Sequence, residues 1–240
     1  MRALGAFALL LSLFATSAHS SEPRPYDVTY TAKALGFSAT AFRRLTLTAP
    51  EHYTLENSLS LIVLGANVGS VSETSEFRWE DGTIVPLHYE YEQTGLSASV
   101  ESVDFDWEKG LADSRSDDES WQLELSPGVL DKLSYSVQIG QDILNKDLEE
   151  FQYEVLDENQ FDDYLYQITA TEVLDTPLGK LNTVKIERIR SSQSRRRTTV
   201  WLASDWDYLL VRLEQVSSSG TETELSIDTA TMDGEPITGI

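Results

Sequence analysis

The sequence predicts an all-β, mainly antiparallel fold: a single curved sheet or open barrel of roughly ten or eleven strands, with one helix packed near residues 127–145. Three observations predict it. Apolar and polar residues alternate along most of the 240-residue chain, turn residues separate the alternating runs, and a single internal segment changes to helical spacing.

The first element is not part of the fold. Met1-Arg2 leads into the apolar run Ala3 to Ala15, and small residues follow at Thr16-Ser17-Ala18-His19-Ser20. A positive start, a short apolar stretch and a small-x-small end compose a signal peptide, expected to be cleaved after Ala18 or Ser20. The run is shorter than the roughly 20 residues that span a bilayer. The expected organisation is a signal peptide over residues 1–20 and one antiparallel β domain over 21–240, exported to the periplasm and not membrane-spanning.

Strand signals then come in order. Tyr26-Asp27-Val28-Thr29-Tyr30 alternates, and Tyr53, Leu55, Leu59, Leu61 and Val63 do the same at odd positions. Phe77-Arg78-Trp79 meets Asp81-Gly82, and Val85, Leu87, Tyr89 and Tyr91 resume beyond it, which is a hairpin signature. Thr94-Gly95 turns the chain again, towards Val103, Phe105 and Trp107. The polar stretch from Ala112 to Ser120 reads as a mobile loop or hairpin tip.

The helix is expected from Ser126-Pro127-Gly128, with a serine cap and proline in the first helical position. Leu130, Leu133, Val137 and Leu144 would form its apolar stripe, and Asp131 would sit in its first turn. Strands resume at Tyr164–Ile168, Val184–Ile186, Thr198–Leu202, Leu209–Leu213 and Leu225–Ile227. Thr176-Pro177-Leu178-Gly179 and Ser217-Ser218-Ser219-Gly220 are the turns among them.

Composition excludes several function classes. Forty acidic residues against 18 basic ones leave a formal charge of −22, which repels nucleic acid and anionic lipid headgroups. No cysteine is present, so thiol chemistry and thiolate metal sites are ruled out. No G-x-S-x-G, H-E-x-x-H, phosphate loop or dinucleotide turn occurs, and beyond the leader the only histidines are His52 and His88. Carboxylate pairs such as Asp104 with Asp106 and Asp162 with Asp163 allow a glycoside-hydrolase reading. The acidic run Asp157 to Asp163 lacks the spacing of a calcium loop. No cofactor and no metal are expected.

One region runs against the charge. From Lys180 to Arg212 there are eight basic residues but only three acidic ones, Glu187, Asp205 and Asp207. Arg188 and Arg190 share one strand face, as do Arg195, Arg197 and Trp201, and paired guanidinium forks suit an anionic ligand group. The alternative is that these arginines pair with carboxylates across strands. Five tryptophans and ten tyrosines could line an apolar cavity between sheet and helix.

Phe105-Asp106-Trp107 with Gly110, Ser126-Pro127-Gly128-Val129-Leu130-Asp131-Lys132-Leu133-Ser134, Thr176-Pro177-Leu178-Gly179 with Val184, and Thr199-Val200-Trp201-Leu202-Ala203 occur in an ordered series. In this the chain resembles an uncharacterised family of exported bacterial proteins, catalogued as domain of unknown function 3108, over roughly Tyr26 to Ile227. That family's usual proline is replaced at Leu209-Leu210-Val211. The resemblance implies a periplasmic setting and a curved antiparallel sheet, and transfers no catalytic residue. The expected function is a non-enzymatic, monomeric periplasmic protein that binds an amphipathic or lipid-like molecule, or an envelope protein, in the concave face of the sheet. The candidate ligand-binding residues are Arg188, Arg190, Arg195, Arg197 and Trp201. The alternative is a carbohydrate-active enzyme using an Asp/Glu pair on cell-envelope glycans.

Overall fold

The computed structural model describes residues 22–63, 66–95 and 97–240; the expected signal peptide, residues 1–20, lies outside the described residues. The first eight strands run in chain order: β1 Tyr26–Ala34, β2 Phe37–Ala49, β3 His52–Val63, β4 Ala66–Glu80, β5 Thr83–Gln93, β6 Ser99–Asp106, β7 Leu111–Ser116 and β8 Glu119–Glu124. Helix α1, Tyr135–Asn145, follows. The chain then forms β9 Glu150–Asp157, β10 Gln160–Thr176, β11 Gly179–Ile189, β12 Arg197–Ala203, β13 Leu209–Val216, β14 Glu222–Met232 and β15 Glu235–Pro236.

All the strands belong to one antiparallel sheet in the order β8-β7-β6-β5-β4-β3-β2-β1-β14-β13-β12-β11-β10-β9, with β15 attached to β14. The first strand therefore pairs with the fourteenth at the middle of the sheet, and the two edges, β8 and β9, are neighbours in sequence. The link between them closes onto both sides. Leu125 donates its N–H to Gly110 (2.9 Å), while Leu130 makes a parallel bridge to Val155 through bonds to Glu154 and Leu156, each 2.9 Å. Backbone groups that would be bare at the β9 edge are thus satisfied locally.

The strand number is a correction, fifteen rather than ten or eleven. The strands absent from the sequence reading are β2, β7, β8, β9 and β15, and most lack the apolar alternation that reveals a strand. The buried positions of β2 are Ala41, Arg43 and Leu45; those of β7 are Ala112 and Ser114. Small or polar residues face the core there. β8 carries only the half-buried Trp121 and Leu123, and β7 and β8 together occupy the stretch expected as a loop or hairpin tip, whose turn is Asp117-Asp118.

The helix is also shorter than expected, 11 residues beginning at Tyr135 instead of residue 127. Gly128 takes φ +87°, which turns the chain, and Leu130 is drawn into its bridge with β9. Asp131 therefore precedes the helix. Its Oδ1 accepts the N–H groups of Leu133 (2.8 Å) and Ser134 (2.7 Å), and its Oδ2 accepts the Ser75 hydroxyl of β4 (2.6 Å).

Burial along α1 has no single stripe: Val137, Gln138, Ile139, Gly140, Gln141 and Asp142 are all buried, and Leu144 is exposed. A helix buried on every side is one that the sheet wraps. Two of its buried polar side chains are partnered: Gln138 Oε1 accepts the Ile84 N–H (2.7 Å), Gln138 Nε2 donates to Asp142 (2.8 Å), and the Tyr153 hydroxyl donates to the other Asp142 oxygen (3.0 Å), whereas Gln141 Oε1 is buried without a protein partner. Gly140 lets the 207–208 turn approach, but a methyl there would meet Tyr208 Cβ and the Asp207 carbonyl oxygen at 3.5 Å, ordinary contact. Gly140→Ala is therefore expected to raise the unfolding free energy by about 0.5–1 kcal/mol, because alanine gives up less backbone freedom in a helix. Urea denaturation checks this, and destabilisation would mean the turn cannot absorb the methyl.

Two apolar clusters form the core of this open sheet. One joins Leu55, Phe77, Tyr89, Phe105 and Val155 to Leu133 and Ile139; the other joins Tyr30, Leu181, Val211, Ile227 and Met232 at the seam of first and last strands. The C-terminal residues seal that seam, with Ile237 bonded to Ala230 (2.9 Å) and Gly239 to Leu178 (2.7 Å).

Candidate functional site

Between the two clusters lies a cavity of about 360 Å³, bounded by α1 on one side and by strands β1–β4 and β10–β14 on the other. Its wall is mostly apolar: Tyr30, Leu45, Leu59, Val137, Ile139, Tyr166, Ile186, Val200, Leu202 and Leu213. These positions face inward because alternate residues of each strand share a face. A volume of this size accommodates a small ligand or part of a chain-like one.

A polar cluster is set into that wall. Arg43, only 8% exposed, donates from Nε to the Tyr26 hydroxyl (3.0 Å), from Nη1 to Asn57 (3.1 Å) and from Nη2 to Ser136 of α1 (2.6 Å). Asn57 passes the network on to Glu73 (3.4 Å), which also accepts the Tyr89 hydroxyl (2.8 Å). Burial pushes the Glu73 carboxyl above its ordinary range, with the neighbouring Asp131 adding to the rise and Tyr89, Asn57 and Arg43 opposing it. Lys132, beside it, pairs with Glu101 and with Asp157 (2.9 Å). Sequence alternation concealed this cluster, since an inward arginine on β2 reads as an outward one.

The arginines of the sequence reading separate into two groups. Arg188 and Arg190 follow Ile186, which lines the cavity, at alternate positions at and just past the end of β11, but neither is itself part of the cavity wall; the Arg188 guanidinium lies 3.3 Å from the centroid of the Tyr164 ring. Arg188 Nε and Arg190 Nη1 are buried without a protein partner; Arg190 Nη2 donates to Thr198 (3.1 Å). Burial lowers the pKa of Arg190, and the charges of Arg188 and Arg196 lower it further. Arg195 and Arg197 are exposed. Trp201 alternates with the cavity residues Val200 and Leu202, so it faces away from them; it lies between Lys185 (5.5 Å) and Arg212 (5.4 Å) and donates to Glu172. Among the described residues none of Arg188, Arg190, Arg195, Arg196 and Arg197 makes an ion pair, whereas Arg212 pairs with Glu214 at 2.6 Å.

The carboxylates considered for hydrolysis have other partners. Asp104 meets His88 (2.8 Å) and Arg115 (3.6 Å), and Asp106 meets Lys109 (2.5 Å). Asp162 and Asp163 are successive on β10 and face opposite sides, Asp163 accepting from Gln152 (3.0 Å). The acidic run considered for calcium forms the β9–β10 turn, with Glu158 at φ +53°.

A family model described as "Protein of unknown function (DUF3108)" matches residues 25–227. The chain belongs to this DUF3108 family. No curated protein matches it. Among solved structures the DUF3108 chain is similar to a β-barrel-like protein of domain of unknown function DUF1849 from Brucella abortus, with 8% identity and a TM-score of 0.57 over 87% of this chain and 98% of that one. That likeness concerns the fold. Two further structures are a "putative lipoprotein" from Parabacteroides distasonis (12% identity, TM-score 0.40, 87% and 96% covered) and a "putative exported protein with YmcC-like fold" from Bacteroides fragilis (10% identity, TM-score 0.39, 87% and 96% covered). No helix among the described residues of the DUF3108 chain is long and apolar enough to cross a membrane.

Proposed function

We propose that the chain is a non-enzymatic periplasmic protein that holds an amphipathic, lipid-like molecule inside its sheet. The observation that carries this reading is the cavity of about 360 Å³ with its apolar wall between α1 and the sheet. Space walled by leucine, isoleucine, valine and tyrosine favours an apolar occupant over water, which needs several polar partners. The anionic end of such a molecule would rest on Arg188 and Arg190, whose unpartnered buried donors need an acceptor. The exposed Arg195, in the link before β12, and Arg197, at the start of β12, would attract the anion as it approaches.

Native mass spectrometry of the protein recovered from the periplasm is the test. A copurifying small molecule is expected, and its consistent absence, together with failure to take up a fluorescent fatty acid, would remove the basis of the reading. Val200→Phe, which puts an aromatic ring into the cavity, is expected to reduce uptake of that probe by at least tenfold, since a filled cavity forfeits the apolar burial on which uptake depends. The double change Arg188→Gln/Arg190→Gln is expected to weaken a carboxylate probe by about 2–5 kcal/mol while sparing its uncharged alcohol analogue.

A further inference from the structure

Where a hairpin turn among the described residues places a non-glycine residue in the left-handed region, that residue is acidic with two exceptions, Tyr208, which packs half-buried against the core, and Leu35. At five turns the residue in the left-handed region is acidic: Glu51, Asp81, Asp117, Glu158 and Asp233, with φ between 48° and 62°. The β1–β2 turn instead places Leu35 there, at φ 52°, followed by Gly36 at 80°. A leucine gains nothing from that conformation, which asparagine and aspartate tolerate best. It also gains nothing from burial, since Leu35 is 76% exposed and Phe37 beside it 54%. Neither folding nor solubility accounts for the pair.

The surroundings are equally out of character. Ala34 pairs with Thr223, Glu222 with Val216, and Val216 with Arg197, so the tip lies three strand spacings, about 14 Å, from the start of β12. Lys33, Arg195, Arg196 and Arg197 are exposed at this end, and none of the three arginines has a carboxylate partner among the described residues. Three carboxylates lie between, Glu214, Glu222 and Glu224; Glu214 is paired with Arg212 (2.6 Å), and Glu224 with Lys33 (4.0 Å) and Arg212 (3.6 Å). On a chain of charge −22 this is a local reversal of sign beside exposed apolar side chains.

We infer that this end of the sheet docks on an anionic lipid bilayer, with Leu35 and Phe37 entering the acyl boundary and Arg195, Arg196 and Arg197 resting on the headgroups. Shallow apolar insertion combined with basic side chains is what holds a peripheral protein at a bilayer interface. The acidic remainder is repelled by the same surface, so the contact is oriented, with the β1–β2 and β11–β12 turns facing the lipid.

The protein, purified after export, is sedimented with vesicles of phosphatidylcholine alone and with phosphatidylglycerol added, at low and high salt. Binding is expected only with the anionic lipid and should fall as salt rises. Leu35→Asn suits the turn, so it should leave the unfolding midpoint equal or higher while weakening vesicle binding roughly tenfold. Phe37→Thr, a strand-compatible change, should act likewise. Replacing Arg195, Arg196 and Arg197 by glutamine should cost roughly fivefold per charge at low salt and abolish the lipid preference. The inference is overturned if the wild type ignores anionic vesicles, or if Leu35→Asn binds them as the wild type does. A photocrosslinker at Leu35 that captures an envelope protein while vesicles are ignored would assign the tip to a protein partner instead.

Discussion

Asp131→Ala is expected to lower the unfolding free energy by about 3 kcal/mol, whereas Asp131→Asn should cost less than about 1 kcal/mol. Asp131 is fully buried and its two oxygens receive three donors, the N–H groups of Leu133 and Ser134 and the Ser75 hydroxyl. Alanine leaves all three donors without water or acceptor, each at about 1–3 kcal/mol. Relief of the buried charge offsets part of that loss: burial raises the Asp131 pKa, so the carboxylate is itself costly to keep. Asparagine retains the oxygen that the two N–H groups need, and its amide can donate to the Ser75 hydroxyl, which can rotate to accept. The loss should be local as well as global, because this carboxylate ties β4 to the link that bridges onto β9 and starts α1. Hydrogen exchange at Leu133 and Ser134 should quicken in Asp131→Ala ahead of the strand amides. Equal effects of the two substitutions would show that charge, not acceptance of these bonds, is what the site needs.

The sheet was legible where one face is apolar and the other polar. β3, β5 and β6 carry Tyr53 and Leu55, Tyr89, and Val103 and Phe105 at alternating positions, and each was visible from its pattern. β2 and β7 were hidden because their inward positions hold alanine, arginine and serine, which close packing and a polar network permit but apolar counting misses. β9 alternates well through Phe151, Tyr153 and Val155, yet it sits among acidic residues that resemble a connection. The helix was found but its start was misplaced, since Pro127-Gly128 resembles a helix entry and only the tertiary bridge at Leu130 shows it to be a turn. For the candidate site, the basic stretch was evident from charge alone. Which arginines face inward depends on strand phase, and Ile186 on the cavity wall fixes that phase for Arg188 and Arg190. The Arg43–Asn57–Glu73 network joins three strands that are separated in sequence, so no local pattern could reveal it.

Arg43→Met is expected to destabilise the fold by about 3 kcal/mol, and most of that loss should come from what the arginine leaves behind. Its guanidinium satisfies Tyr26, Asn57 and Ser136, and through Asn57 it is linked to the half-buried Glu73. Removing one member of a buried charged pair leaves the other uncompensated, a cost of about 3–5 kcal/mol when the contact is direct. Here the link runs through Asn57, which places the effect at the low end. Glu73→Gln should be milder on its own at neutral pH, because it removes a charge that burial already disfavours, and the double variant should be less destabilised than the sum of the two by about 1 kcal/mol or more. The pH dependence gives the sign independently. Burial raises the Glu73 pKa above the ordinary 4.5, so between that value and the native one the folded protein holds more of this proton than the unfolded chain does. Stability therefore falls as pH rises through that window, and the deficit is complete above it. In Glu73→Gln this part of the slope disappears. Arg43 opposes the rise, so Arg43→Met moves the native pKa higher and should widen the window, making the loss of stability with rising pH larger than in the wild type. Urea denaturation of the wild type and both variants at a series of pH values above 4.5 reads these slopes directly. A wild-type profile that runs parallel to that of Glu73→Gln throughout would mean that Glu73 is solvated in the folded protein and the network does not hold it.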